Sequence, residues 1–203
     1  MPVFDDARRA EAREIIARFP QGGERSALVP LLYLVQSIDG HVSREGMREI
    51  ADLLGITTAE VESVATFYTM LRMHETGRHV VSVCTNVACA LVGGNEVYHA
   101  CVDEAGPGAE EISEDGLLTV HQEECLGVCD FAPVVQLNSA NHDRVTPDAA
   151  RTLIRAVREG LVPEAARGSI APTSFCEASR ILAGLEPLDP DPDPEPDPQE
   201  VRA

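Results

Sequence analysis

Four of the six cysteines fall in two close pairs, Cys84 with Cys89 in "VCTNVACALVGG" (83–94) and Cys125 with Cys129 in "HQEECLGVCDFAP" (121–133). Each pair follows a β-branched or strand-like run, so each belongs to a loop leaving a strand. The pattern is C-x4-C, thirty-five intervening residues, then C-x3-C. Using all four sulfurs together requires a sheet that brings both loops to one end. Gly93, Gly94 and Gly127 make the loops turnable, and Pro133 closes the second one.

The β-branched run over 79–83, in "RHVVSVC", is the first strand signal in the chain. Before it, the pattern is helical. "DARRAEAREIIARFP" gives one helix, stopped by Pro20 and the Gly22–Gly23 pair, and a second runs from after Ser26 to near Gly40. A third starts after Ser43 and is closed by Gly55. A fourth opens on Thr57 with Glu60 three residues on, a capping box, and continues as a stripe of Val61, Val64, Ala65 and Tyr68.

After the first strand come the cysteine loop, a helix over about 95–104, and Asp115-Gly116 between two strand-like runs, a hairpin signal. "APVVQLN" (132–138) reads as a buried strand, with 143–145 as its partner. Thr146 then caps a helix with Pro147 at its first position, ending at Gly160. The fold class is α+β, with a small sheet covered by two helices, a sandwich of thioredoxin size. We expect helices over 1–78, the sandwich over 79–160, and a linker over 161–185. That linker carries a short helix capped by Ser174 and Glu177, with Ala178, Ile181, Leu182 and Leu185 on one face. This helix either packs back on its own domain or anchors in a partner's groove. The stretch 186–203 alternates proline with acid and is expected to be a disordered tail.

Charge narrows the function. The formal net charge of -18 repels phosphate backbones, so nucleic acid is excluded as a partner. Seven acids against one arginine in 186–203 account for six of those charges, so the folded part is milder. The start of the chain is charged and no signal-like run follows. "ALVPLLYLV" (27–35), broken by Pro30, is too short to span a bilayer. The expected compartment is cytoplasmic, without direct membrane insertion. Clustered cysteines there point to metal rather than disulfides.

Two loops with a cysteine pair each suit a binuclear iron–sulfur cluster, with Cys84, Cys89, Cys125 and Cys129 as candidate ligands. Structural zinc favours pairs two residues apart, a redox dithiol wants C-x-x-C, and Rieske ligation wants histidines beside the cysteines. None of these is present. The plant-type ferredoxin run needs a cysteine where Val92 stands. A zinc site with unusual spacing and four unrelated buried thiols are the alternatives left open. A buried anionic cluster needs donors near its sulfurs, which the loop glycines allow and Thr85 and Asn86 are placed to add. Such donors raise the reduction potential, and the abundant acids lower it. Cys101, inside a predicted helix, reads as a core residue. Cys176 reads as inert or a surface thiol, and His121 as a strand-end residue.

"VATFYTML" (64–71), "VCTNVACALVGGNEV" (83–97), "EECLGVCDFAPVVQLN" (123–138) and the Thr146-Pro147 helix start resemble the thioredoxin-like 2Fe-2S ferredoxin subunits of NADH-quinone oxidoreductase, respiratory complex I. The resemblance covers about residues 8–160. It implies an N-terminal helical bundle joined to a thioredoxin-like domain, and one 2Fe-2S cluster on Cys84, Cys89, Cys125 and Cys129. It also implies partners: a subunit that binds NADH and FMN, whose flavin exchanges single electrons with the cluster, and the large iron–sulfur subunit. The whole would be peripheral on the cytoplasmic face of the membrane.

No NADH, flavin or quinone site of the chain's own is expected, because the glycine pairs lack the G-x-G-x-x-G arrangement. Two rivals share these features: the small diaphorase subunit of an NAD-linked hydrogenase or formate dehydrogenase, and an iron–sulfur regulator using 44–71 as a helix-turn-helix. The second is disfavoured by Glu60, Glu62 and Thr66 where a recognition helix presents Arg and Lys.

Overall fold

The protein is described as a computed structural model covering residues 3–106, 108, 110–167 and 173–187. Its elements in chain order are α1 (Asp6–Ala17), α2 (Leu28–Asp39), α3 (Arg44–Leu54), α4 (Thr58–Ala65), β1 (His79–Cys84), α5 (Val87–Leu91), α6 (Gly94–Ala105), β2 (Leu118–Glu123), β3 (Val135–Leu137), β4 (Ala140–His142), α7 (Pro147–Arg158) and α8 (Phe175–Leu182). The expected acidic tail lies, from residue 188 on, outside the described residues.

Side-chain caps start three of the N-terminal helices, α1 at Asp5, α3 at Ser43 and α4 at Thr57. Ser43 accepts from the Gly46 N–H to start α3, and Gly55, at φ 64°, closes it in the left-handed region that glycine adopts without strain. Both halves of the Thr57–Glu60 capping box are present at α4. That helix stops at Ala65, so Tyr68 lies past its end and is exposed rather than part of the expected stripe. The second helix is entered through a 3-10 turn over Glu24–Ala27. The four helices close around Phe4, Ile15, Leu31, Leu32, Leu34 and Ile50, all buried. A Cβ on Gly46 would overlap Val35, so this glycine sets how closely α3 approaches α2.

The sheet has four strands in the order β2-β1-β3-β4. The β1–β2 pair is parallel, with Cys84 opposite Glu123, while β3 runs antiparallel to β1 and to β4. A parallel pair needs a crossover, and the helix α6 lies between β1 and β2 in sequence. Alternation along the strands separates two faces. Val81, Val83, Leu118 and Val120 join Val97, Cys101, Leu153 and Ile154 in an apolar core with α6 and α7. Ser82, Cys84, Thr119, His121 and Glu123 alternate with them and so take the other face. That face meets the segment joining α4 to β1, where the Gly77 N–H donates to Thr119 Oγ1 at 2.7 Å. A Cβ on Gly77 would come within 2.7 Å of the Leu118 backbone, so no other residue fits there.

Three expectations are corrected. The Asp115-Gly116 turn forms, but its first arm is short: on the outer edge of β2 Ile112 bridges Thr119, with the Glu110 N–H donating to Val120 O at 3.0 Å and the Ser113 N–H to Leu118 O at 2.8 Å, so among the described residues no full strand precedes the turn. The partner of β3 is Ala140–His142 rather than 143–145, because Asn138 and Ser139, both at positive φ, make the tight turn. In α8 the buried residues are Phe175, Ala178, Ser179 and Arg180, and Leu182 is exposed. This helix packs on its own chain: Ala183 and Leu185 enter the N-terminal core, and the Arg180 guanidinium meets Glu11 at 2.6 Å.

Candidate metal centre

Cys84 is the last residue of β1, and Cys89 lies in α5, a helix of five residues capped by Asn86. The Cys84 N–H donates to Val134 O at 3.1 Å and the Thr85 N–H to Glu123 O at 3.0 Å, so the first loop is stitched to both neighbouring segments. Cys125 follows β2 by two residues. Cys129 opens a 3-10 turn over Cys129–Phe131, whose end is held by the Arg144 N–H donating to Phe131 O at 2.8 Å and by the cis Ala132–Pro133 peptide.

The structure brings these loops together. Cys84, Cys89 and Val134 form a small buried cluster, against which Leu126, Val128 and Ala132 of the second loop pack. Cys84 and Cys89 are close enough to raise the Cys89 thiol, Cys125 likewise raises Cys129, and Cys129 also feels Cys84 across the two loops. The first pair is buried and the second is exposed. Among the described residues no group of three His, Cys, Asp or Glu side chains converges on a single ion. The sulfurs instead stand as two pairs. Cys101 is buried in the core between α6 and the sheet, and Cys176 is half-buried on α8; neither is among these contacts.

Electrostatics at the site favour softened charge. Burial, then the neighbouring Cys84, pushes the Cys89 thiol up to about 11, and the contact with Cys125 raises Cys129. A backbone donor faces one sulfur, the Gly127 N–H reaching Cys125 Sγ at 3.4 Å, and the Val134 backbone partly offsets the rise of the Cys89 thiol. Gly127 has a φ of 74°, a conformation glycine adopts without strain. Thr85 and Asn86 are committed elsewhere. The Thr85 hydroxyl accepts from Gln122 Nε2 at 2.8 Å, and Asn86 Oδ1 accepts from the Val87 N–H. Two sulfur pairs, one on an apolar lining and the other exposed beside the Gly127 N–H, fit a sulfur-ligated anionic group, which is stabilised by such donors.

Several residues at the site carry no fixed sequence spacing to the cysteines. The Arg167 guanidinium lies 3.8 Å from the Phe131 ring centroid and Arg144 at 5.5 Å, two cations over a ring two residues past Cys129. Arg72 reaches Glu123 from the segment before β1. Strand pairing and turn geometry assemble these contacts, so periodicity could not point to them. His121 lies in β2 on the polar face, its imidazole held neutral, down to about 4, by burial and then by Arg72.

A family model described as thioredoxin-like 2Fe-2S ferredoxin matches residues 12–158. The E-type subunit of NADH-quinone oxidoreductase from Mycobacterium bovis is 44% identical over 182 residues, covering 89% of this chain and 71% of its own. A second NADH-quinone oxidoreductase subunit, from Thermus thermophilus, is 37% identical over 161 residues, with coverage of 79% and 88%. Among solved structures, an NAD+-reducing nickel–iron hydrogenase superposes with a TM-score of 0.58 at 17% identity, over 66% of this chain. This chain spans 22% of the hydrogenase chain's length, and the likeness is one of fold.

Proposed function

The chain belongs to the thioredoxin-like 2Fe-2S ferredoxin family, and from that membership we propose that Cys84, Cys89, Cys125 and Cys129 hold one 2Fe-2S cluster in a subunit of NADH-quinone oxidoreductase. The observation that carries the reading is that the loop of Cys125 and Cys129 packs, through Leu126, Val128 and Ala132, on the buried Cys84–Cys89 pair, with Cys129 near enough to feel the charge of Cys84. Each pair would hold one iron. When bound, the cluster takes up or gives back one electron.

The chain's own residues supply the rest. Val134, Leu126 and Val128 keep water from the Cys84–Cys89 side, which limits reorganisation around a changing charge. N–H groups such as that of Gly127 favour the more negative state. The Cys125–Cys129 side faces outward, the side from which a bound cluster would exchange its electron with a partner. Val87, Leu91 and Val92 beside Cys89 are exposed, Leu91 at 81%, an apolar margin that supports a protein partner. That partner is the subunit that binds NADH and FMN, with the large iron–sulfur subunit beyond it, and the electron is exchanged with the flavin.

NADH and quinone are bound elsewhere in the complex. Among the described residues no helix is long and apolar enough to cross a membrane. Attachment in the proposed complex is peripheral, on the cytoplasmic face.

The test is serine replacement in protein purified without air. Loss or spectral shift of the cluster is expected for each of Cys84, Cys89, Cys125 and Cys129, with retention for Cys101→Ser and Cys176→Ser. Bleaching of the Cys101 variant with retention in the Cys89 variant would overturn the ligand set.

A further inference from the structure

Arg72 stands in the segment between α4 and β1, with its backbone in one part of the protein and its side chain in another. The N–H donates to Gln36 Oε1 at 2.7 Å, and the carbonyl accepts from the Val42 N–H at 2.7 Å. Gln36 is fully buried in α2 and donates from Nε2 to Met70 O at 3.2 Å and to Ser179 Oγ of α8 at 3.0 Å. The Arg72 backbone is therefore fixed by the helical part of the chain.

The side chain crosses to the sheet. Nη2 donates to Glu123 Oε1 at 2.6 Å and to Ser82 Oγ at 3.0 Å, and the Ser82 hydroxyl donates to the same carboxylate oxygen at 3.4 Å. The two charged side chains are 13% and 8% exposed, and among the described residues Arg72 Nε has no hydrogen-bond partner. Ser82 lies two residues before Cys84, Glu123 lies two residues before Cys125, and Cys84 is Glu123's register partner. One guanidinium thus grips both strand ends from which the cysteine loops leave. A buried pair tolerates its desolvation only while both partners are present, and deleting one leaves an uncompensated charge in a medium that screens it poorly.

We infer that Arg72 is a positioning residue for the metal centre, holding the ends of β1 and β2 from the helical part and, with Glu123, forming a balanced buried charge pair that sets the electrostatic potential at the cysteines. The inference rests on the reading that these cysteines hold a cluster. A bare carboxylate near the centre opposes an added electron, and a bare guanidinium favours it. The two single deletions therefore move the midpoint potential in opposite directions, which a purely structural clamp does not do.

The experiment is an EPR-monitored redox titration of the full chain, purified without air, with iron and sulfide content measured on every sample. Arg72→Met is expected to lower the midpoint potential and Glu123→Gln to raise it, the double variant to return toward the parent value, and Arg72→Lys to recover most of the loss. Shifts of the same sign in both single variants, or none, at full iron content overturn the inference. Glu123→Gln preserves shape, so if Arg72→Met does not fold, the absence of an upward shift in Glu123→Gln alone is decisive against it. A parent protein without iron or signal refutes the cysteine reading as well, whereas a loaded parent with unmoved variants refutes only the role of Arg72.

Discussion

Gly94 lies so close to Cys89 that a Cβ added to it would come within 2.8 Å of the Cys89 carbonyl oxygen, and within 2.9 Å of that of Cys84. The first turn of α6 thus wedges between the two residues that bound the first loop, and only a residue without a side chain fits. Gly94→Ala must push the loop outward at a cost of about 1–3 kcal/mol, typical of overpacking a fixed backbone. The expected outcome is a lower Tm and reduced iron content in protein purified without air. Unchanged iron and Tm would show that the loop relaxes freely.

How much of this is legible in the sequence depends on the range of the physics involved. The Thr57–Glu60 capping box, the Ser43 cap and the Gly40 and Gly55 stops are local, and the structure follows them closely. Asp115-Gly116 is an equally good local signal, and the turn forms there, but among the described residues only Ile112 pairs with β2 across it, so the arm before the turn is shorter than its sequence suggests. The β3–β4 turn at Asn138-Ser139 carries no Asn-Gly or Asp-Gly pair, so the sequence points to a return strand later than the real one. The cysteine pairs are visible from spacing alone. Gly94's tight approach and Arg72's reach across to Glu123 depend on how distant segments meet, which no period in the sequence records.

Acid should destabilise the protein through His79. Asn138 Oδ1 accepts from the Val80 N–H at 3.1 Å, which fixes the amide and leaves Nδ2 to donate to His79 Nδ1 at 2.9 Å. The ring must then be neutral, and burial followed by the Arg78 charge holds it down to about 4. Since the folded value lies below the unfolded value of about 6.5, the unfolded chain binds the proton more readily. Stability is full above that value and falls as pH drops from about 6.5 toward about 4. Urea unfolding across this window should show the loss, with a shallower slope for His79→Gln. An equal slope would remove His79 as the cause.

Packing of α8 on its own chain predicts opposite fates for two of its apolar residues. Phe175 is buried, and Phe175→Ala should cost about 3–5 kcal/mol in denaturant unfolding. Leu182 is 46% exposed, and Leu182→Ala should stay within about 0.5 kcal/mol. A reversed order would mean that α8 presents its other face to the helices.

The core between sheet and helices offers a control away from the cysteines. Ile154 of α7 is fully buried against the strands, so Ile154→Ala should cost about 2–5 kcal/mol while leaving iron content per folded chain unchanged. Iron lost in proportion to stability would mean that the loops are not held independently of that core.

Two cysteine pairs at one end of the sheet hold a binuclear cluster in this account, and one measurement bears on that most directly. Protein purified without air is analysed for iron and acid-labile sulfide and, after dithionite reduction, by low-temperature EPR. The expected result is about two irons and two sulfides per chain and a spin-half signal; a colourless chain carrying zinc, or no metal at all, would contradict it.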